Sequence, residues 1–197
     1  MIEAAPLQDT STLLVLGDSL SAAYGIEREK GWVALLQTRF AQQPQTKNWQ
    51  LINASVSGET TFGGLQRLPA LLKQHQPGLL ILQLGANDAL RGQNLMQTKA
   101  NLARMIDLCA AQSTPCQTLL LGIRLPSNYG PVYSRVLESL YRDLAKQYTL
   151  NFDPFFLEPV ALNPDLMQAD GLHPNQKAQP QILERLWPRL QIYFPPG

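Results

Sequence analysis

The sequence predicts an α/β fold, a three-layer, doubly wound, five-stranded parallel sheet that is flavodoxin-like. Short apolar runs alternate along the chain with longer segments whose apolar residues recur at helical spacing. The runs are nearly continuous in leucine, isoleucine and valine, which is typical of parallel strands that helices cover on both faces. Polar and glycine residues follow four of the five runs, at the ends where such sheets bind their ligands.

Each predicted strand is too short for a stable helix and is bounded by polar residues, glycine or proline. The five strands cover Thr12 to Leu16, Trp49 to Asn53, Gly78 to Leu84, Thr118 to Leu121 and Leu150 to Phe152. The first strand stops at Gly17, where the lack of a side chain suits a sharp turn that lets a substrate approach.

The predicted helices follow the strands and carry leucine-rich apolar faces. They cover about Trp32 to Gln42, Phe62 to His75, Thr98 to Ala111, Val132 to Tyr148 and Gln176 to Gln191. Pro180 and Pro188 are expected to limit the regular length of the last helix. Residues 85–88 and 122–130 are predicted to be turns or loops.

Length and charge narrow the class of protein. The chain has 197 residues, which predicts a single domain over residues 1–197 with a substantial core. The net charge is +1 without a dense basic or acidic block, so nucleic acid is not an expected partner. No apolar run approaches the roughly 18 residues of a membrane helix, so stable membrane insertion is not expected. We expect a monomer that acts on a small molecule.

The first ten residues and the two cysteines bear on the cellular compartment. Met1 to Thr10 has no basic start and no apolar stretch, so it does not resemble a signal peptide, although such a segment could have preceded it. Cys109 and Cys116 lie seven positions apart without a cluster of metal ligands. They could be two buried free thiols or a disulfide formed in an oxidising compartment.

The turns that follow strands one, two, three and five carry candidate catalytic residues. They contain Ser19, Gly58, Asn87 and the pair Asp170 and His173. Because the carboxyl ends of parallel strands share one edge, these residues could converge. Together they could supply what acyl transfer needs: Ser19 as nucleophile, His173 as base, and Asp170 to orient the imidazole. The N–H groups of Ser19 and Gly58 and the amide of Asn87 could stabilise an oxyanion.

Taken separately, each of these features has a simpler explanation. Serine after a strand often caps a helix, and Asn-Asp and Asp-Gly pairs often form turns. Gly58 could simply provide a positive φ. The combination in this order is more specific.

The four motifs, read together, resemble the GDSL, or SGNH, hydrolase superfamily. They are Gly17-Asp18-Ser19-Leu20, Gly58, Gly85-Ala86-Asn87-Asp88 and Asp170-Gly171-Leu172-His173-Pro174. Residues 16–22, 68–77, 123–130 and 169–174 are more closely similar to a bacterial group of multifunctional thioesterases, proteases and lysophospholipases and to arylesterases.

The resemblance implies a periplasmic or secreted serine esterase or thioesterase that needs no cofactor or metal. It implies catalytic Ser19, Asp170 and His173, and oxyanion donors on Ser19, Gly58 and Asn87. Ala86 departs from the glycine that is common in this group, without touching the donor residues.

The substrate is predicted from the loops after strands three and four. Apolar side chains there predict a groove for an acyl chain, formed by Ala89, Leu90, Ile123, Leu125 and Pro126. Alternatively these side chains belong to the core. Carbohydrate O-deacetylation is a second hypothesis, because Tyr24, Tyr129 and Tyr133 could stack on a sugar. A nucleotide- or flavin-binding module is a third, although the sequence lacks a glycine-rich phosphate loop.

Overall fold

Five parallel strands form one sheet with the strand order β2-β1-β3-β4-β5 in this computed structural model. The structure describes residues 12–114 and 116–194, so the prediction for Met1 to Thr10 lies outside the described residues. The strands are β1 (Thr12–Gly17), β2 (Gln50–Asn53), β3 (Leu79–Gln83), β4 (Gln117–Leu121) and β5 (Asn151–Asp153). This is the flavodoxin-like order, which confirms the predicted fold class.

Helices cover both faces of the sheet. They are α1 (Trp32–Gln42), α2 (Thr61–His75), α3 (Ala86–Leu90), α4 (Leu95–Ala110), α5 (Pro131–Gln147) and α6 (Gln179–Gln191). Helix α1 packs against α6, and α4 packs against both α2 and α5. The described part of the chain contains no helix that is both long and apolar enough to cross a membrane.

The central strands form the core because they are covered on both faces. Leu13 to Leu16 of β1 and Leu79 to Leu82 of β3 are fully buried. Each buried leucine contributes about 1.5–3 kcal/mol relative to an exposed one. The continuous apolar runs that predicted these strands are therefore a direct consequence of their central position.

Several local predictions differ from the structure. In the predicted turn at residues 85–88, Gly85 is the N-cap of helix α3 and Ala86 is its first residue. The last helix, predicted from Gln176, begins at Gln179, after a 3₁₀ turn over Gln176–Ala178. Helix α4 begins at Leu95 rather than Thr98, because the side chain of Asn94 caps the N–H of Met96 at 2.9 Å.

The prediction that Pro188 would shorten the last helix is also wrong, since α6 runs through it to Gln191. The buried side chains of Leu186, Trp187 and Leu190 hold this last turn in place despite the missing N–H. Pro180 lies in the first turn of α6, where a missing N–H costs little.

A disulfide joins Cys109, in the last turn of α4, to Cys116, directly before β4. This decides between the two interpretations of the cysteines. Neither cysteine is a free thiol, and the bridge ties the helix to the next strand of the sheet.

Candidate active site

The nucleophile candidate follows β1 at the place where the strand order reverses. Ligands of open α/β sheets bind at this kind of switch point. Gly17 is the last residue of β1 and pairs with Gln83 of β3. A Cβ at Gly17 would lie 2.8 Å from Gln83 Oε1 and 2.9 Å from the Ser21 side chain. Glycine is needed at position 17 because a side chain would clash with Gln83 and Ser21. Its backbone does not have the positive φ that often requires glycine in a sharp turn.

Ser19, His173 and Asp170 form a continuous hydrogen-bonded chain. His173 Nε2 lies 2.9 Å from Ser19 Oγ, although the two residues are 154 positions apart. On the other side of the ring, His173 Nδ1 lies 2.6 Å from Asp170 Oδ2. With the proton on Nδ1, the free Nε2 can take the proton of the serine hydroxyl.

Asp170 is held as a carboxylate by its own turn. Burial alone would raise the pKa of Asp170, but donation from the N–H and ring of His173 and from the N–H of Leu172 outweighs it. The pKa is lowered to about 2. These backbone contacts to Asp170 Oδ1 measure 3.0 Å for His173 and 2.9 Å for Leu172. The aspartate is therefore ionised at neutral pH.

Gln168 anchors the loop that carries this acid and base. Its Nε2 donates to the carbonyl of Pro174 at 3.1 Å and to that of Tyr24 at 2.8 Å. Its N–H donates to the carbonyl of His173 at 2.7 Å. The ring of Tyr24 also packs against that of His173 in a tilted arrangement, with 4.6 Å between centroids. The loop is thus fastened to the segment that follows Ser19.

Two further residues from the sequence prediction, Gly58 and Asn87, lie beside each other. Asn87 Nδ2 donates to the carbonyl of Glu59, the neighbour of Gly58, at 3.0 Å. Gly58 has a φ of +80°, a conformation that strains residues with a side chain. Glycine is therefore favoured at position 58 for two reasons: the backbone conformation requires it, and the missing side chain leaves room for a substrate. The second proton of the Asn87 amide faces Asp18 Oδ2 at 3.4 Å, a weak contact that an oxyanion could replace.

Sequence reasoning missed the buried group around Asp18. Asp18 Oδ1 accepts from Leu20 N–H and from Gln83 Nε2, both at 3.0 Å. Gln83 Oε1 in turn accepts from the hydroxyl of Ser21 at 2.7 Å. Burial raises the pKa of Asp18 to about 6, although these donors and nearby His173 oppose the rise. The one polar residue at the end of the apolar strand β3, Gln83, was the signal available in the sequence.

Asp88 is a second buried carboxylate that the sequence analysis did not assign. Its Oδ2 accepts from the N–H of Thr61 at 2.9 Å, and its Oδ1 from the hydroxyls of Thr61 and Thr98 at 2.5 and 3.3 Å. Asp88 therefore joins α3 to the first turns of α2 and α4. This fixes the position of its neighbour Asn87 relative to the Gly58 segment.

The candidate acyl groove is only partly open. Leu90, Leu125 and Pro126 are half-buried. Ala89 and Ile123 are buried in the core, at 0% and 3% exposure, so the alternative interpretation describes these two residues better.

The tyrosines that kept a sugar site open are engaged in the fold. The hydroxyl of Tyr129 donates to the carbonyl of Leu90 at 3.4 Å, and that of Tyr133 to the carbonyl of Ala89 at 3.2 Å. Tyr24 packs on His173. The hydroxyl contacts favour a structural role for Tyr129 and Tyr133, whereas Tyr24 is 51% exposed beside His173.

Comparison with known proteins places these motifs in a family context. Residues 15–179 match the model of the GDSL-like lipase/acylhydrolase family. Esterase TesA of Pseudomonas aeruginosa is 48% identical over 180 residues, which cover 91% of this chain and 88% of that protein. Thioesterase 1/protease 1/lysophospholipase L1 of Escherichia coli strain K12 is 46% identical over 181 residues, 91% of this chain and 83% of that protein.

Solved structures agree with the sequence comparisons. A crystal structure of TesA superposes with a TM-score of 0.86 at 48% identity, covering 91% of this chain and 98% of that one. AlinE4, described as an SGNH-hydrolase family esterase, gives a TM-score of 0.75 at 34% identity, with 96% of this chain and 100% of that one covered. The arrangement of strands and helices is therefore shared with SGNH esterases.

Proposed function

The chain belongs to the GDSL-like lipase/acylhydrolase family, and we propose that it is an esterase and thioesterase that forms an acyl-enzyme on Ser19. The names of two relatives support this proposal, because one is called an esterase and the other a thioesterase. The observation that carries the serine mechanism is the chain of contacts from Ser19 Oγ through His173 to Asp170, at 2.9 and 2.6 Å.

In the first half of the reaction, Ser19 Oγ attacks the carbonyl carbon while its proton passes to His173 Nε2. The negative charge that develops on the carbonyl oxygen is bound by the N–H groups of Ser19 and Gly58 and by the amide of Asn87. His173 then donates the proton to the departing alcohol or thiol, which leaves the acyl group on Ser19.

In the second half, His173 takes a proton from water, and the hydroxide attacks the acyl carbonyl at the same oxyanion site. Collapse of this intermediate returns the proton to Ser19 Oγ and releases the carboxylic acid. Asp170, an acceptor with a pKa of about 2, stabilises the imidazolium that forms in each half.

The proposed substrates carry an apolar acyl group, and lysophospholipids are included among them. The acyl chain is proposed to run past Leu90, Leu125 and Pro126, the half-buried members of the predicted groove. Ala89 and Ile123 offer it little surface because they are buried. Among the described residues, no specific contact favours a carbohydrate O-deacetylase or a nucleotide- or flavin-binding module.

The protein is proposed to act as a monomer in the periplasm or outside the cell. The disulfide between Cys109 and Cys116 supports this compartment, because such bonds persist in oxidising surroundings. Fractionation of the native host, with thiol titration of the unreduced protein, tests the compartment. Light scattering tests the monomer.

Labelling with a fluorophosphonate tests the nucleophile directly. The probe should modify Ser19 at one equivalent and abolish ester hydrolysis, and Ser19→Ala should be neither labelled nor active. Ser113→Ala, which removes an exposed hydroxyl far along the chain, is the control and should behave like the unmodified protein. Equal labelling of Ser19→Ala would overturn the assignment.

The pH dependence of kcat/KM tests the base. Activity should be low in acid, where a protonated His173 cannot accept the proton of Ser19, and should rise to a plateau at higher pH. A kcat/KM that does not change between about pH 5 and 8 would contradict the role of His173.

A further inference from the structure

Arg91 lies at the mouth of the proposed oxyanion site. It follows Leu90, the last residue of α3, one helical turn after Asn87. Its guanidinium crosses to the neighbouring segment, where Nη2 donates to the carbonyl of Gly58 at 3.0 Å. The same nitrogen would lie 3.4 Å from a Cβ at Gly58. A fixed positive charge thus stands beside the place where the scissile carbonyl would bind.

The neighbouring carboxylates are occupied by other partners. Glu59 forms an ion pair with Arg67. Asp88 is buried and accepts from Thr61 and Thr98, and Asp170 is paired with His173. Within residues 12–114 and 116–194, Arg91 forms no ion pair.

The exposure of Arg91 indicates which part of a substrate it would meet. The acyl chain is apolar and is assigned to the half-buried loops at Leu90, Leu125 and Pro126, whereas Arg91 faces solvent. The hydrophilic alcohol or thiol portion remains on the solvent side. A guanidinium has five N–H donors in a planar fork that matches phosphate oxygens. Within the part of the chain that the structure describes, Arg91 makes one side-chain hydrogen bond, to the carbonyl of Gly58.

On these grounds we propose that Arg91 is an anion-binding subsite for a phosphate group on the leaving portion of the substrate. This inference rests on the proposed function and makes the enzyme selective for phosphate-bearing esters and thioesters over neutral ones with the same acyl group. Two kinds of substrate carry such a group, acyl-coenzyme A thioesters and lysophospholipid esters.

Matched substrate pairs test the subsite and distinguish the two sources. One pair is hexanoyl-coenzyme A and hexanoyl-N-acetylcysteamine, which share the acyl group and the thioester. The other is an acyl lysophosphatidylglycerol and the monoacylglycerol with the same chain, measured below their aggregation concentrations. Arg91→Gln removes the charge, Arg91→Lys keeps it without the fork, and Arg104→Gln removes an exposed charge from α4 as the matched control.

Arg91→Gln should lower kcat/KM for the phosphate-bearing member of a pair about 5- to 10-fold, mainly through KM, because the interaction is exposed and partly screened. The neutral member should change less than about twofold, and Arg104→Gln should change neither. Arg91→Lys should recover part of the loss. Added salt should reduce the preference of the unmodified enzyme but not that of Arg91→Gln. The pair that responds identifies the source of the phosphate.

Two results would overturn the subsite. Equal losses on both members of each pair would mean that Arg91 only supports the Gly58 segment. Unchanged kinetics on all four substrates would mean that it contacts no substrate. A failure of the unmodified enzyme to hydrolyse any ester or thioester is a different outcome, because it would overturn the proposed function itself and the subsite with it.

Discussion

We expect the replacement of Asp18 by asparagine to change stability in a pH-dependent way. Relative to the unmodified chain, the variant should gain free energy of unfolding as the pH rises from acidic to alkaline. The carboxyl group is fully buried, and burial raises its pKa from 3.8 to about 6. The folded chain therefore binds this proton more tightly than the unfolded chain does. The contribution of Asp18 to the free energy of unfolding is complete below pH 3.8 and is lost as the pH rises through about 6.

The size of the effect follows from the two pKa values. A difference of one in pKa corresponds to about 1.4 kcal/mol. Ionisation of Asp18 should therefore cost about 3 kcal/mol at pH 8 and about 0.5 kcal/mol at pH 4. An asparagine does not ionise, so its effect on the free energy of unfolding should shift by about 2.5 kcal/mol in favour of the variant between pH 4 and pH 8.

Urea unfolding at the two pH values measures this shift. Asp18→Asn is compared with the unmodified protein and with Asp165→Asn, which removes an exposed carboxylate. The new amide also faces the Asn87 amide, at the site of a 3.4 Å contact, which adds a cost that does not depend on Asp18 ionisation. Taking the difference between the two pH values cancels that cost. An equal effect of Asp18→Asn at both pH values, or a shift that favours the unmodified chain at pH 8, would refute the reasoning.

Three other predictions concern catalysis, substrate length and the disulfide. Asn87→Ala should lower kcat about 10²–10³-fold with little change in KM or melting temperature, and a change confined to KM would place Asn87 in substrate binding instead. With p-nitrophenyl esters of increasing acyl length, each added methylene should stabilise the transition state by up to about 0.8 kcal/mol, so kcat/KM should rise until the groove is filled. Leu90→Ala or Leu125→Ala should flatten this dependence of kcat/KM on acyl length. A profile of unchanged shape in both variants, with a loss of about 2–5 kcal/mol in stability, would assign these leucines to the core. Reduction of the bond between Cys109 and Cys116 should lower the free energy of unfolding by about 2–3 kcal/mol in a denaturation assay, and an equal stability of both forms would contradict this.

The order of strands and helices was predictable because it depends on local patterns. The buried strands β1 and β3 are continuous apolar runs, and α1 has the predicted bounds, from Trp32 to Gln42. Helix α3 was missed because Gly85 and the pair Asn87-Asp88 are turn signals and five residues give no helical period. Contacts from Asp88 to Thr61 and Thr98, distant in sequence, stabilise this helix.

The residues of the candidate site were predictable from their motifs, but their surroundings were not. The proximity of Ser19, Asp170 and His173 follows from placing the motifs at one edge of a parallel sheet. The raised pKa of Asp18 depends on complete burial, and a contact that opposes the rise comes from Gln83, which is 65 positions away. The position of Arg91 beside Gly58 likewise depends on how two loops pack. Neither the pKa of Asp18 nor the position of Arg91 can be predicted from a short stretch of sequence.

The separation of the nucleophile from its acid and base has a consequence for biosynthesis. Ser19 follows the first strand, whereas Asp170 and His173 occupy one turn near the end of the chain. His173, the proposed base, lies 154 positions after Ser19. A growing chain can therefore contain the nucleophile and both other oxyanion residues while it still lacks a proton acceptor. Under the proposed mechanism, hydrolysis begins only when this turn emerges and Gln168 fastens it to Tyr24. An incomplete chain would thus leave the acyl esters of the producing cell intact.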